Sequence, residues 1–589
     1  MEQLQSYYQD RKSTFETELT SVNAKLKTVT FIRVISFVAS FVLLYVLFED
    51  GWMAAVGFVA PMLVLGFFVR KSTRLNEQKL LIQNLIAIQD TELRAIKGDY
   101  SKGDTGLTHA ITHHPFSGDL GVFGTGSLFQ LLSRTVTKGG AKELANQLST
   151  LELSKEEIDL RQKSIQELAT KTEWQHQFRA NYRTTDKEAT IEFPSVEVFP
   201  NRLLKVLYYI LPLGMLGLLV ALMLDMIPFS HVLYASFITL TFTGVFLKKT
   251  TLVAQNAEEL LKEISAYTHY IYLIENEIFT ESLNVQNQSQ LKGAIKASVA
   301  LKKLQKILNG FDNRNNIVLG VVLNAFILWD IKHLKQFMEW NHSYGGQLSD
   351  WLVAVSAFDA RISAANYVYN NSENTFPIIL NQADFYYKAD RLSHPLLKPA
   401  VRVPNSIVID GWNQIDIITG ANMAGKSTFL RTIGSSMILG TLGISLPGSL
   451  TFTPVKLFSS MKTEDSLNDN ESYFFAELKR LKQLVDLLES SQPTFAILDE
   501  ILKGTNSRDK ATGSAEFLKK LLRYPLSGII ATHDLSLCEL NSFYPNNIAN
   551  YAFEVDMNGD DLHFDYTLKQ GVCQNMNATF LLKKMNLID

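Results

Sequence analysis

Apolar and charged residues are unevenly spread along this chain, and four runs are long enough to cross a hydrocarbon core. Val34 to Phe48 is apolar apart from Ser36 and Ser40, and it reaches spanning length if it begins at Phe31 with Arg33 extending its head to the interface. Gly51 to Val69 carries no charge. Val206 to Leu224 and Met226 to Leu247 follow, separated by Asp225 alone. Runs paired this closely predict two membrane hairpins. Lys25, Lys27, Arg33, Arg70, Lys71 and Arg74 bracket the first and Lys205, Lys248 and Lys249 the second, whereas the tight turns hold Glu49, Asp50 and Asp225. Positive flanks stay in the cytoplasm, so a multi-pass membrane protein with the bulk of its chain cytoplasmic is expected. The first residues are charged and the apolar run starts late, unlike a secretory leader. Buried helices in a large soluble core are the competing explanation. Ile317 to Trp329 is also apolar, but it is shorter, contains Asn324 and abuts Asp330 and Lys332, which predicts a core helix.

Outside these runs, residues 1 to 30 and 72 to 97 place apolar side chains such as Leu81, Leu85 and Ile88 at helical spacing, as amphipathic helices do. Ser127 to Ala169 and residues 252 to 370 continue the helical pattern with few turn signals. The texture changes near residue 400. Gln414 to Thr419, Thr494 to Leu498 and Ser527 to Thr532 are short apolar runs with helical patterns between them, the alternation of an α/β domain with a parallel sheet. Tyr551 to Met557 and Leu562 to Leu568 flank Asn558-Gly559 and predict a hairpin.

Composition narrows the classes. With 589 residues, 46% hydrophobic and 11% aromatic, the chain is too long for one core and too apolar for a disordered protein. Its formal charge of −3 shows no basic excess of the kind that marks many nucleic-acid binders. Cys538 and Cys573 lie far from any partner at metal-ligand spacing, which removes a disulfide scaffold and a thiolate zinc site and fits a reducing compartment. His109, His113 and His114 have spacing suited to a metal, but Pro115 follows at once and no acidic ligand is close, so a polar loop is favoured. Lys479, Arg480 and Lys482 read as a solvated helix face, and His394-Pro395 as structural.

One constellation carries chemistry. Gly420-Ala421-Asn422-Met423-Ala424-Gly425-Lys426-Ser427 fits the phosphate-binding loop and lies between a predicted strand and a predicted helix. Its glycines let backbone N–H groups wrap a triphosphate, Lys426 reaches the terminal phosphates, and Ser427 ligates Mg²⁺. Phe495 to Glu500 is an apolar strand ending in two carboxylates: Asp499 suits the metal and Glu500 the attacking water. Ile529 to Asp534 places His533 at another strand end, where it can contact the γ-phosphate. The polar loop from Asp465 to Leu478, containing Ser472-Tyr473-Phe474, opens a helix.

These four parts, in this order, resemble the MutS family of ATPases within the wider ABC class. The likeness is close from Ile418 to Thr428, at Asp499-Glu500-Ile501 with Gly504-Thr505, at Ala531-Thr532-His533, and from Gly571 to Leu587. Upstream, Gly126 to Thr135 followed by Gly139 is similar to the start of the family's helical core, so the resemblance covers roughly residues 118 to 587. It implies a Mg²⁺-dependent ATPase acting as a homodimer with composite ATP sites, in which Ser472 reaches the partner's γ-phosphate and Thr428 completes the nucleotide loop. Together with the apolar and helical patterns it gives the following expected domains: 1–30, a cytosolic amphipathic helix; 31–70, the first hairpin; 71–117, a helical linker; 118–203, a MutS-core-like segment; 204–248, the second hairpin; 249–380, a helical core and lever; 381–589, the ATPase domain. Mismatch-repairing members carry a reader domain with a Phe-x-Glu motif, and the residues ahead of 118 instead hold a membrane hairpin. Tyr473 stands where the family has threonine, and Leu502-Lys503 where it has Gly-Arg.

The resulting expectation is a membrane-anchored, MutS-like ATPase, mostly helical with a C-terminal α/β P-loop domain, whose cycle moves the attached helices. Two alternatives stay open: a DNA-binding repair or recombination homologue tethered to the lipid bilayer, with DNA unsupported by charge, and an ABC-type transport ATPase.

Overall fold

The structure, a computed structural model, describes all residues except 1, 182–196, 255–256, 313–316, 422, 462–472, 491, 503–505, 559–560, 575–587 and 589. It is mostly helical, with a mixed α/β region in its C-terminal part. The chain forms two compact units. One comprises Met1–His176, Glu281–Leu283 and Asp359–Asp589, the other Gln177–Thr280 and Asn284–Phe358.

The first unit begins with two 45-residue helices, Glu2–Val46 and Trp52–Ile96. No break separates the amphipathic part from the apolar part of either. Tyr8, Phe15, Val22, Val29 and Ser36 recur every seventh residue and are buried, facing Leu75, Ile82, Gln89 and Glu92 on the antiparallel helix. This is the seam of a coiled coil. Lys12 Nζ to Asp90 Oδ1 at 2.7 Å and Arg33 to Ser72 Oγ at 3.2 Å fix its register.

Its base is held by a buried polar chain. Tyr8 donates to Asn370 Oδ1 at 2.7 Å, Asn370 Nδ2 donates to Glu92 Oε2 at 2.8 Å, and Arg134 Nε donates to Glu92 Oε1 at 3.0 Å. Asn370 closes the long helix Trp329–Asn370. Beside this chain, Gln3, Tyr7, Tyr100, Asn374, Leu397 and Arg402 help to line a cavity of about 710 Å³.

Residues 71–117, expected to be a helical linker, are helical only as far as Ile96. Gly98, Gly103 and Gly106 then break the pattern, and the loop beyond is built into the C-terminal domain. Ser459 N–H donates to Pro115 O at 2.9 Å and Ser459 Oγ to Asp119 Oδ2 at 2.9 Å. Arg480 donates to the carbonyls of His114, Pro115 and Ser459 and stacks on Phe458, 4.6 Å from its ring centroid. It is therefore a tie between segments and no part of a solvated face, because three carbonyls offer its guanidinium more than water would. His109 ends a single short turn and His114 Nδ1 accepts from the Phe116 and Ser117 amides, so these histidines lie in a loop.

Ten strands follow: β1 (Ile378–Ile379), β2 (Tyr386–Leu392), β3 (Asn405–Asp410), β4 (Ile415–Gly420), β5 (Ser449–Phe452), β6 (Lys456–Ser460), β7 (Thr494–Asp499), β8 (Leu526–Ala531), β9 (Ile548–Asn558) and β10 (Asp561–Gln570). Six form a sheet in the order β10-β9-β4-β8-β7-β6, parallel except for the β10 edge. Both faces of β4, β7 and β8 are covered, so these strands are buried at successive residues rather than at alternate ones. Leu481, Leu484 and Leu488 of one helix and Leu518 and Leu521 of another pack with Ile415, Ile417, Leu498 and Ile530. Ile497 meets the helix Lys426–Thr441 at Gly434. The smaller sheet β1-β5-β2-β3 packs beside that helix, with Tyr387 OH 2.7 Å from Ser436 Oγ.

In the second unit, Arg202–Met223 and Phe229–Val245 form an apolar helix pair, and Ala257–Asn276 packs on Ala297–Asp312. Among the described residues, three helices are long and apolar enough to cross a membrane by length and composition, or four if Phe229–Val245 and Leu247–Ala254, bent by 63°, make one span. Ile317–Ile327 is not the core helix its composition suggested. It packs on Phe229–Val245 through Ala325, but Val321, Val322 and Ile327 are 49%, 47% and 41% exposed.

Arg134→Ala would leave Glu92 buried without its cation, which costs about 3–5 kcal/mol for a pair this enclosed. The expected outcome is a clear drop in the thermal unfolding temperature of the purified chain, and an unchanged temperature would remove the clamp from the account.

Candidate functional site

Strand β4 delivers the phosphate-loop sequence to the carboxyl edge of the sheet. Gly420, at φ +149°, lies so close to β9 that a Cβ would sit 2.6 Å from the Phe553 carbonyl oxygen. Gly425, at φ +104°, turns the chain into Lys426–Thr441, and a Cβ there would press on Tyr566. Met423 takes a left-handed conformation at φ +68°. Ala421, Met423, Gly425, Lys426, Ser427 and Thr428 line a cavity of about 810 Å³, with Gly420 and Ala424 packed behind them. The helix N-terminus opens on it, so free N–H groups and the positive end of the helix dipole face the space.

The acidic pair arrives from the end of β7, separated from β4 by β8. Ser427 Oγ donates to Asp499 Oδ2 at 2.7 Å. Glu500 is held by its N–H to Ala531 O at 2.8 Å and has φ +55°, with Leu502 at +58°. Two such residues so close together bend the chain sharply after β7, a strain that persists only where surrounding contacts enforce it. Glu500 Oε1 lies 2.9 Å from His533 Nε2, and that same nitrogen is 3.2 Å from Lys426 Nζ. His533 can thus donate to Glu500 or accept from Lys426, according to which ring nitrogen carries the proton.

Lys426 also donates to the carbonyls of Gly420 at 2.7 Å and Ala421 at 3.0 Å. Burial pushes its pKa down, against the pull of Asp499 and Glu500. A hydroxyl beside a carboxylate, with a second carboxylate next in sequence, is an all-oxygen donor set that fits magnesium rather than a softer metal. The whole arrangement suits a polyphosphate: loop amides, one ammonium, a metal-binding pair and a carboxylate with a histidine at its side.

Asn422 and Ser472, most of the segment from Asp465 to Leu478, Lys503 to Thr505 and the end of the Gly571 to Leu587 segment lie outside the described residues. Sequence reasoning missed the far wall. Leu392, Leu397, Val401, Val403, Asn405, Phe553 and Tyr566 line the cavity with His394. His394 therefore borders the site as well as bracing its own turn, where Nδ1 accepts from the Leu396 amide at 3.2 Å. Burial, then Arg431 and Arg402, push its pKa down to about 4, so it is neutral at pH 7. Tyr566 is placed by a register shift in β10: Asn405 bonds the Tyr566 carbonyl at 3.0 Å and the Leu568 amide at 2.7 Å. The His-Pro dipeptide was the only sequence signal for that wall.

Residues 416–583 match the family described as MutS domain V. Over 204 residues the chain is 28% identical to a DNA mismatch repair protein MutS of Thermotoga sp. (strain RQ2), covering 33% of this chain and 25% of the relative. It is 29% identical to an Endonuclease MutS2 of Thermus thermophilus over 205 residues, 34% of this chain and 26% of the relative. It is 30% identical to MutS protein homolog 4 of Homo sapiens over 196 residues, 31% and 20% respectively. The chain thus spans about a quarter or less of the length of these curated relatives.

Asp416, four residues ahead of Gly420, is 2% exposed, and its Oδ2 has no hydrogen-bond partner among the described residues. Burial pushes its pKa up to about 8 from 3.8. Between these values the unfolded chain releases the proton that the folded chain keeps, so stability falls as pH rises, by roughly 1.4 kcal/mol per pH unit. Asp416→Asn should be close to neutral near pH 4 and increasingly stabilising up to about pH 8, read as a widening gap in unfolding temperature. A gap independent of pH would overturn this.

Proposed function

The C-terminal third of this chain is a MutS-family domain V, and from that premise we propose that the protein binds and hydrolyses ATP with Mg²⁺ and uses the cycle to move its helical parts. The observation that carries the reading is the meeting of Ser427 with Asp499, and of His533 with Glu500 and Lys426, in one cavity at the mouth of a phosphate loop. In this reading the amides from Gly420 to Thr428, Asn422 included, wrap the phosphates, and Lys426 leaves its own loop carbonyls to contact the terminal ones. Ser427 and Asp499 hold the metal, which supplies charge neutralisation on the phosphate oxygens. Glu500 orients a water and takes its proton as the water oxygen bonds to the γ-phosphorus and the bond to the β-phosphate oxygen breaks. His533, able to partner either Glu500 or Lys426, is placed to respond to the presence of the γ-phosphate. The neutral His394 with Phe553 and Tyr566 offers flat, uncharged surfaces for the base.

Family members act as dimers, and we extend this to a homodimer in which Ser472 of one chain reaches the γ-phosphate of the other. Membrane anchoring is part of the same proposal. Only 17%, 6% and 6% of the most apolar windows of Glu2–Val46, Trp52–Ile96 and Arg202–Met223 is buried, so these helices expose apolar faces that water would penalise and lipid would not. Both hairpins return to the cytoplasm, where the remaining chain lies.

Lys426→Ala should abolish ATP binding, whereas Glu500→Gln should retain it and lower turnover by about 10²–10⁴-fold. A Glu500→Gln variant hydrolysing at the normal rate would remove Glu500 from its role. Mixing Ser472→Ala with Lys426→Ala chains should restore one working site per dimer, and no recovery would argue for unshared sites. In sealed vesicles, a cysteine replacing Asp225 should react with an impermeant thiol reagent only from the face opposite the ATPase domain. Reaction from the ATPase side would contradict the hairpin topology. The relatives' names keep a DNA repair role as a second reading; duplex binding that falls steeply with salt would support it.

A further inference from the structure

A third apolar element lies against the second hairpin. Ile317–Ile327 packs on Phe229–Val245 and touches Arg202–Met223. Thr239 Oγ1 donates to the Ala325 carbonyl at 2.6 Å in a buried contact. Asn324, also buried, closes the helix end by accepting from the Asp330 amide at 2.9 Å while donating to the Gly320 carbonyl at 3.0 Å, so the polar groups of this face are satisfied within the protein. Val321, Val322 and Ile327 are nonetheless exposed, as are apolar side chains of the hairpin such as Leu216 and Val220.

Length and flanks restrict what covers these side chains. Eleven residues rise about 16 Å, half a hydrocarbon core. The sequence before the helix reads Asp312-Asn313-Arg314-Asn315-Asn316, and after it come Trp329 and Lys332. Trp329 donates Nε1–H to the Gly310 carbonyl at 2.7 Å, and Lys332 Nζ lies 5.7 Å from its ring centroid. Lys335 Nζ donates to Tyr209 OH at 3.0 Å and lies 5.6 Å from the Tyr208 ring. Tryptophan, tyrosine and lysine gathered beside apolar helices are the composition of a bilayer's headgroup belt.

We infer that Ile317–Ile327 is an interfacial membrane helix resting against the second hairpin, with Val321 and Val322 in the acyl region of the same leaflet and both its ends at the headgroups. The inference rests on the reading that the hairpin crosses a bilayer, and it gives this unit three lipid-contacting helices rather than two. The partner is the lipid surface, recognised by apolar area and by the aromatic and cationic belt at the helix end.

The test uses the full chain in phosphatidylcholine vesicles, labelled with an environment-sensitive fluorophore at Val321→Cys and, separately, Val322→Cys. Leu216→Cys is the hairpin control and Lys303→Cys the aqueous control. Cys538 and Cys573 are buried, and a parallel reaction of the unsubstituted chain measures their contribution. A quencher carried near the lipid headgroup should dim both helix positions several-fold more than aqueous iodide does, and more than a quencher at mid-chain does. Leu216 should respond to the mid-chain quencher and Lys303 to iodide alone. Iodide quenching at both helix positions, with Leu216 still dimmed by lipid, would overturn the inference and leave the hairpin intact. Stronger mid-chain quenching at those positions would replace the interfacial placement with a deep one, and so overturn it too. Iodide quenching at Leu216 would defeat the membrane reading itself.

Discussion

The parallel register of three buried strands is the constraint from which the candidate site follows. Ile418 of β4 and Asp499 of β7 both align with Ala531 of β8, so the phosphate loop, the acidic pair and the histidine leave the sheet at one level. A slip of one residue in any of these strands would turn its side chains to the opposite face and separate Ser427 from Asp499. The strands hold register because both faces are covered by helices, and only glycine fits at the end of β4 because β9 passes within touching distance.

What could be read from the sequence is what depends on neighbours along the chain. The glycine loop, the two carboxylates at the end of β7 and the histidine after β8 announce themselves locally, and the boundaries of β4, β7 and β8 fell within a residue or two of the expected runs. The four-stranded sheet was invisible for the opposite reason. β1 has two residues, and β2 mixes Lys388, Asp390 and Arg391 among its apolar positions because its outward side is wet. The far wall of the cavity comes from residues 392–405 and from the β10 bulge, brought together only by folding. Arg480 looked solvated because charge patterns are blind to backbone carbonyls arriving from residues 114 and 115. Ile317–Ile327 looked like core because apolar composition does not distinguish a face turned to protein from one turned outward.

One segment belongs to two environments at once. Leu397 lines the cavity at the phosphate loop and also the cavity at the foot of the coiled coil, where Tyr7, Asn370 and Arg134 stand. The chain from His394 to Arg402 is braced by Arg402, which bonds the carbonyls of Pro395 and Leu397. This short strap is therefore part of the wall of both cavities.

The seven-residue spacing that locks Tyr8, Phe15, Val22 and Val29 continues unbroken to Ser36, so the paired helices behave mechanically as a single rod rather than as a shaft joined to a separate tip. A rod of 45 residues is about 68 Å long, and a tilt of about 5° at its foot sweeps the far end through about 6 Å. Small rearrangements around Glu92 would thereby be amplified by leverage.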